Sequence, residues 1–81
     1  MSTDNTTTFE KILKRCPAPF ISREVAEHVS GGLVKVKTYA NLDSQGLGPA
    51  DRVRCGRKVG YPAESFARWL ANRLQPIDKQ E

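Results

Sequence analysis

A mainly α-helical single domain carrying one small β-hairpin is the fold class that this sequence predicts, and three observations predict it. Apolar residues recur at helical spacing in four short segments, most clearly Phe66, Trp69, Leu70 and Leu74 at i, i+3, i+4 and i+8. Between the third and fourth of these, Arg52-Val53-Arg54-Cys55 alternates every two residues, Gly56-Arg57-Lys58 supplies a turn, and Val59-Gly60-Tyr61 returns. Finally, 81 residues with 38% hydrophobic and 27% charged content are those of a folded chain with one modest core.

Each element has a local reason. Residues 1–8, MSTDNTTT, are polar and without apolar periodicity, and are expected to form a flexible tail. Phe9, Ile12 and Leu13 give a short helical turn stopped by Cys16-Pro17-Ala18-Pro19. Ser22 is placed as the N-cap of the next helix, with Glu24 in its first turn, where the helix dipole favours an acid, and with Val25, Ala26 and Val29 as its buried stripe. Ser30-Gly31-Gly32 breaks the chain before a second helix from Lys35 to Gln45, closed by Gly46 at C′. At 100° per residue, Val36, Tyr39 and Ala40 fall together, with Leu42 on their flank. Lys37, Thr38, Asn41 and Gln45 form the opposite face. Asp43 lies toward the apolar side, near a helix C-terminus that disfavours it, with no local explanation.

The hairpin follows, with Arg52 and Arg54 on one face, Val53 and Cys55 on the other, and Arg57 and Lys58 at its tip. Pro62 then opens a helix from Ala63 to Leu74 whose Trp69, at its spacing, is expected in the core rather than stacked on a base. Pro76 ends it. The domain is thus expected over residues 9–75, with a short C-terminal tail over 76–81.

The net charge of +4 is concentrated. Between Lys35 and Lys58 stand six basic residues, Lys35, Lys37, Arg52, Arg54, Arg57 and Lys58, against Asp43 and Asp51, and the remainder of the chain is neutral. Potentials add over neighbouring charges and are screened beyond about 8 to 10 Å, so such clustering favours a polyanion over an evenly solvated face. Two short helices joined by a tight turn, the second with a donor-rich face, are the parts of a helix-turn-helix, and the hairpin adds a wing. Lys37, Thr38 and Asn41 carry donors suited to guanine and adenine edges. The Arg-rich hairpin suits phosphates or the minor groove.

Other chemistries find little support. Cys16 and Cys55 lack C-x-x-C spacing, and with the single His28 they fall one ligand short of a closed zinc site. A Cys/His nucleophile pair rests on the same three residues; two reduced structural thiols and a surface histidine are expected instead. So short a chain leaves little room for a large enzymatic cleft. No run approaches the about 20 apolar residues that cross a bilayer, and no signal-peptide core follows Met1, so a cytoplasmic location without a membrane partner is expected.

The runs ISREVAEHV, GGLVKVKTYANLDSQGLGP, RVRCGRKVGYP and ESFARWLANRL together resemble the small excisionase and AlpA-type winged helix-turn-helix proteins. The likeness covers about residues 20–74 and rests on the order and spacing of the E-V-A helix, the K-T-Y-A-N-L helix followed by G-x-G-P, the G-R-K-V-x-Y wing and the closing F-x-x-W-L helix. It implies a fold related to the DNA-binding domain of MerR-type regulators, and sequence-specific binding of double-stranded DNA without catalysis or cofactor. Carried over, Lys35, Lys37, Thr38 and Asn41 fall on the recognition helix and Arg54, Arg57 and Lys58 on the wing; Arg52, on the flank of the wing, is a further candidate by its charge. Asp43, where the family more often has a basic or aromatic residue, and Asp51 depart from the pattern. The expected role is an excisionase, a recombination directionality factor that binds and bends attachment-site DNA so that a partner integrase excises a mobile element or prophage. The absence of an effector domain in 81 residues motivates that choice. A transcriptional regulator of the same fold is the runner-up, and a protein-interaction module with a basic face is the alternative from another class. Phe9, Ile12, Leu13 and Phe20, outside the minimal domain, serve either cooperative self-association on DNA or the completion of a small core.

Overall fold

The apolar stripe of the last helix is the floor on which the other elements rest. The computed structural model describes residues 5–75 and 77, in the order α1 (Asn5–Arg15), β1 (Phe20–Ser22), α2 (Arg23–Val29), α3 (Val36–Ser44), β2 (Val53–Cys55), β3 (Lys58–Pro62) and α4 (Ala63–Arg73). Phe66, Ala67, Leu70 and Ala71 of α4 are buried together with Ile12 of α1, Ile21 of β1, Ala26 of α2 and Tyr39 of α3. Tyr39 is the hub: its ring centroid lies 5.8 Å from Tyr61, 6.2 Å from Phe66 and 5.6 Å from Trp69. Tilted pairs of this kind add about 0.5–1.5 kcal/mol each beyond the area they bury. Trp69 is half-buried, and its indole Nε1 donates to the Leu47 carbonyl at 2.9 Å, which ties the segment after α3 to α4.

Helix α2 starts on a local signal, and both α2 and α3 stop on one. The Ser22 hydroxyl accepts from the Val25 N–H at 3.2 Å, the expected N-cap, a contact whose loss ordinarily costs about 1 kcal/mol. Both helices end in the same device. After α2, Gly31 at φ +70° bonds back to the His28 carbonyl and Gly32 to that of Glu27; after α3, Gly46 at φ +76° bonds to Asp43 and Leu47 to Leu42. These paired returns satisfy carbonyls that would otherwise be orphaned, and a positive φ at C′ favours glycine. In the turn between them, the buried Ser30 hydroxyl donates to the Glu27 carbonyl at 2.7 Å and accepts from the Val34 N–H at 3.2 Å.

The sheet is antiparallel with strand order β1-β3-β2. Cys55 faces Lys58 across a two-residue turn, Gly56-Arg57, in which Gly56 takes φ +61° at the first central position, as type II′ hairpin turns do. Lys58 therefore opens β3 rather than lying in the turn. The hairpin and the helix-turn-helix make a mainly α winged helix-turn-helix, the expected fold class, with one addition: the third strand, β1, pairs Ile21 with Tyr61 and Ser22 with Gly60. β2 is an edge strand, as β1 is, and all three of its residues are exposed, so its alternation has no buried side.

Two expectations at the N-terminus change. Residues 5–8 do not belong to a tail but form the first turn of an 11-residue α1. Threonines are modest helix formers, and packing outweighs propensity here: α1 lies along α4, with Thr6 and Phe9 sharing a shallow groove with Arg68, Ala71 and Asn72. The rest of that tail, residues 1–4, lies outside the described residues, as do Pro76 and residues 78–81 of the C-terminal tail. Ile12 is buried, and Phe9 and Leu13 pack against the core, so these three complete the core, whereas Phe20 is exposed.

Candidate nucleic-acid interface

Helix α3 divides its side chains as the 100° plot requires. Tyr39 and Asp43 are buried, Lys37 and Asn41 are exposed, and Thr38 is half-buried between them. Lys35 stands at the N-cap with extended backbone, and Gln45 at the C-cap is exposed. On the wing, Arg54 lies on β2, Arg57 at the tip and Lys58 at the start of β3, with Arg52 just ahead of β2; all four are exposed. The eight candidate residues thus fall into two groups, one on α3 and one on the hairpin.

Helix α2 joins these groups. Glu24 and Glu27, three positions apart and so on one face of α2, each reach a different group. The Lys58 Nζ lies 3.7 Å from Glu24 Oε2, and the Lys35 Nζ lies 3.8 Å from Glu27 Oε2. Glu27 also accepts the Val36 N–H through Oε1 at 2.9 Å, which places a carboxylate at the start of α3, where no residue of its own first turn is acidic. The Glu24 carboxyl is held below the usual range, first by a hydrogen bond from its own backbone and then by Lys58.

Asp43, unexplained by its own helix, is explained by two other elements. Its side chain is only 4% exposed, and Oδ2 accepts from Arg23 Nη2 at 2.7 Å and from the Tyr61 hydroxyl at 2.6 Å. Arg23 Nε donates in turn to the Tyr61 oxygen at 3.2 Å. One carboxylate therefore ties the first turn of α2 and the central strand β3 to the last turn of α3. Hydrogen bonding to Asp43, ahead of the opposing effect of burial, raises the Arg23 pKa; burial first, then the bond to Asp43, pushes Tyr61 up to about 12. Asp43 Oδ1 has no partner among the described side chains and backbone, and it lies so close to Gly48 that any β-carbon there would run into it. This gives the second glycine of G-x-G-P a steric reason.

These contacts redistribute the charge. Asp43 is neutralised by Arg23 and faces inward, whereas Glu24 and Glu27, outside the Lys35–Lys58 window, stand beside two of its lysines. Sequence reasoning missed Glu24 and Glu27 as members of this surface. Their i, i+3 spacing was visible, but not which lysines the fold brings to them. Asp51, at φ +61° on the approach to β2, is exposed, and short polar side chains tolerate that backbone.

Cys16 and Cys55 are free thiols in different surroundings. Cys16 is half-buried, its Sγ 3.5 Å from the Ile12 carbonyl, and burial pushes its pKa up; Cys55 is exposed on the wing rather than packed. His28 is exposed. Among the described residues, no group of three or more His, Cys, Asp or Glu is placed to hold a metal ion, and no helix is long and apolar enough to cross a membrane.

Together these elements make a small, mostly helical module with a three-stranded antiparallel sheet, a frame compatible with regulatory binding of DNA or another ligand. Comparison with protein-family models, with curated proteins and with solved structures gave no match.

Proposed function

We propose that this chain binds double-stranded DNA sequence-specifically, without catalysis, with α3 in the major groove and the β2–β3 wing on the flanking backbone or minor groove. The observation that carries this reading is the division of α3. Its buried Tyr39 and Asp43 fasten it to the core and to β3, while Lys37 and Asn41 are exposed and Thr38 half-buried, their donors engaged by none of the other described residues, and the arginines of the hairpin are exposed as well. Asn41 is assigned a two-bond contact to adenine, Lys37 to guanine, and Thr38 to a base edge or thymine methyl. Lys35, Arg52, Arg54, Arg57 and Lys58 are assigned to phosphates.

Gel-shift titration against salt tests the reading. Log affinity should fall by about 0.9 per phosphate contacted for each unit of log salt. Asn41→Ala should lose about 1–3 kcal/mol of discrimination at one base pair, whereas Arg57→Ala should weaken all sequences alike. Absence of binding at low salt would refute DNA binding, and unchanged site preference in Asn41→Ala would refute the placement of α3.

The biological role we propose, excisionase, rests on the sequence likeness of the four runs named above. An excision assay with an integrase and attachment-site DNA decides between that role and a transcriptional regulator of the same fold. Footprints over adjacent repeats would reveal cooperative self-association, which no longer has Phe9, Ile12 and Leu13 in its support.

A further inference from the structure

We infer that Glu24 sets the strength of polyanion binding by holding Lys58, so that DNA must displace a carboxylate already present on the interface. This inference rests on the DNA-binding reading and adds a residue to it. The pair is poorly suited to stabilising the fold. Its atoms are 3.7 Å apart, and the side chains are 73% exposed for Lys58 and 61% for Glu24. Exposed pairs of this kind contribute little to folding. Its position, in contrast, is telling, because it links the wing to the face of α2 from which Glu27 reaches Lys35 at the start of α3.

A phosphate approaching Lys58 meets two charges rather than one. The lysine can turn to it only by giving up the carboxylate, so the attraction within the pair is subtracted from the phosphate contact. Fewer condensed cations are then released per protein bound than the six basic residues would imply. Glu27 acts on Lys35 in the same sense, but it also holds the Val36 N–H, so changing it would disturb the start of α3. Glu24 is the residue that can be changed without touching the base-reading helix.

The experiment is a double-mutant cycle of Glu24→Gln and Lys58→Gln, with binding to specific and random duplexes measured across a salt series. With Lys58 present, Glu24→Gln should tighten both duplexes by about 1.5- to fivefold near 0.1 M salt. It should also steepen the log–log salt slope by up to about 0.9. With Lys58→Gln in place, most of that gain should disappear. An equal gain in both backgrounds would mean that net charge alone is at work, and no gain in the Lys58 background would mean that the pair does not compete with phosphate; either result overturns the inference while leaving DNA binding intact. If the parent chain binds no duplex at low salt, the functional reading itself fails, and the inference with it.

Discussion

Two sets of ion pairs in this molecule use the same chemistry and do opposite things. Asp43 with Arg23 and Tyr61 is short, at 2.7 and 2.6 Å, and its carboxylate is nearly sealed from water. Glu24 with Lys58 and Glu27 with Lys35 are long, at 3.7 and 3.8 Å, and wet. Two unit charges 4 Å apart attract by about 1 kcal/mol in water and about 4 kcal/mol at the effective dielectric of a protein surface, and solvation cancels much of this for exposed groups. The buried set therefore fixes where α3 sits relative to the wing. The exposed set leaves its lysines free to exchange partners. A net charge of +4 does not distinguish these sets; burial does.

Removing the carboxylate of the buried set should cost the most stability. Asp43→Ala strands the Arg23 guanidinium and the buried Tyr61 hydroxyl without their acceptor, and should cost about 3 kcal/mol in urea unfolding, at the lower end for a disrupted buried pair because Arg23 retains some solvent. A loss below about 1 kcal/mol, within the range of an exposed pair, would erase the distinction between the two sets.

Tyr61→Phe is the milder version. It removes one of the two donors to Asp43 Oδ2 while keeping the ring against Tyr39, and should cost about 1–3 kcal/mol. It also carries a pH signature. The folded pKa of Tyr61 is raised to about 12 from 10.0, so folding favours the protonated phenol. Its contribution is fully present below pH 10 and is lost as pH rises from 10 through about 12. Unfolding free energies measured from pH 9 to 12 should therefore fall more steeply for the parent chain than for Tyr61→Phe. Parallel curves would show that the phenol does not couple to folding.

The same contrast explains what the sequence made legible. Signals that act within a few residues were readable: the Ser22 cap, Gly46 after α3, the Phe66–Leu74 stripe and the outward placement of Lys37 and Asn41. Signals that act across the chain were not. β1 is three residues long, too short for alternation to register, and its partner strand lies some 40 positions away. Asp43 looked misplaced because Arg23 and Tyr61 are 20 and 18 positions distant. The first turn of α1 forms on packing against α4 rather than on its threonines' propensity. For the candidate surface, residue types and helix face were local information, whereas the carboxylates beside Lys35 and Lys58 were products of the fold.

The exposed pair should tolerate a substitution that the buried one would not. Glu24→Gln should change the unfolding free energy by no more than about 0.5 kcal/mol, because the residue is exposed and its partner equally so. The small balance has two sides: the glutamine loses attraction to Lys58 and a favourable charge in the first turn of α2, yet its amide still reaches the same solvent. If Glu24→Gln cost 2 kcal/mol or more, Lys58 would be anchoring the wing as Asp43 anchors α3, and the exposed set would belong to the frame. A neutral result in unfolding together with tighter DNA binding separates the two roles, since a group that matters to folding cannot be released to a phosphate without loosening the fold that presents it.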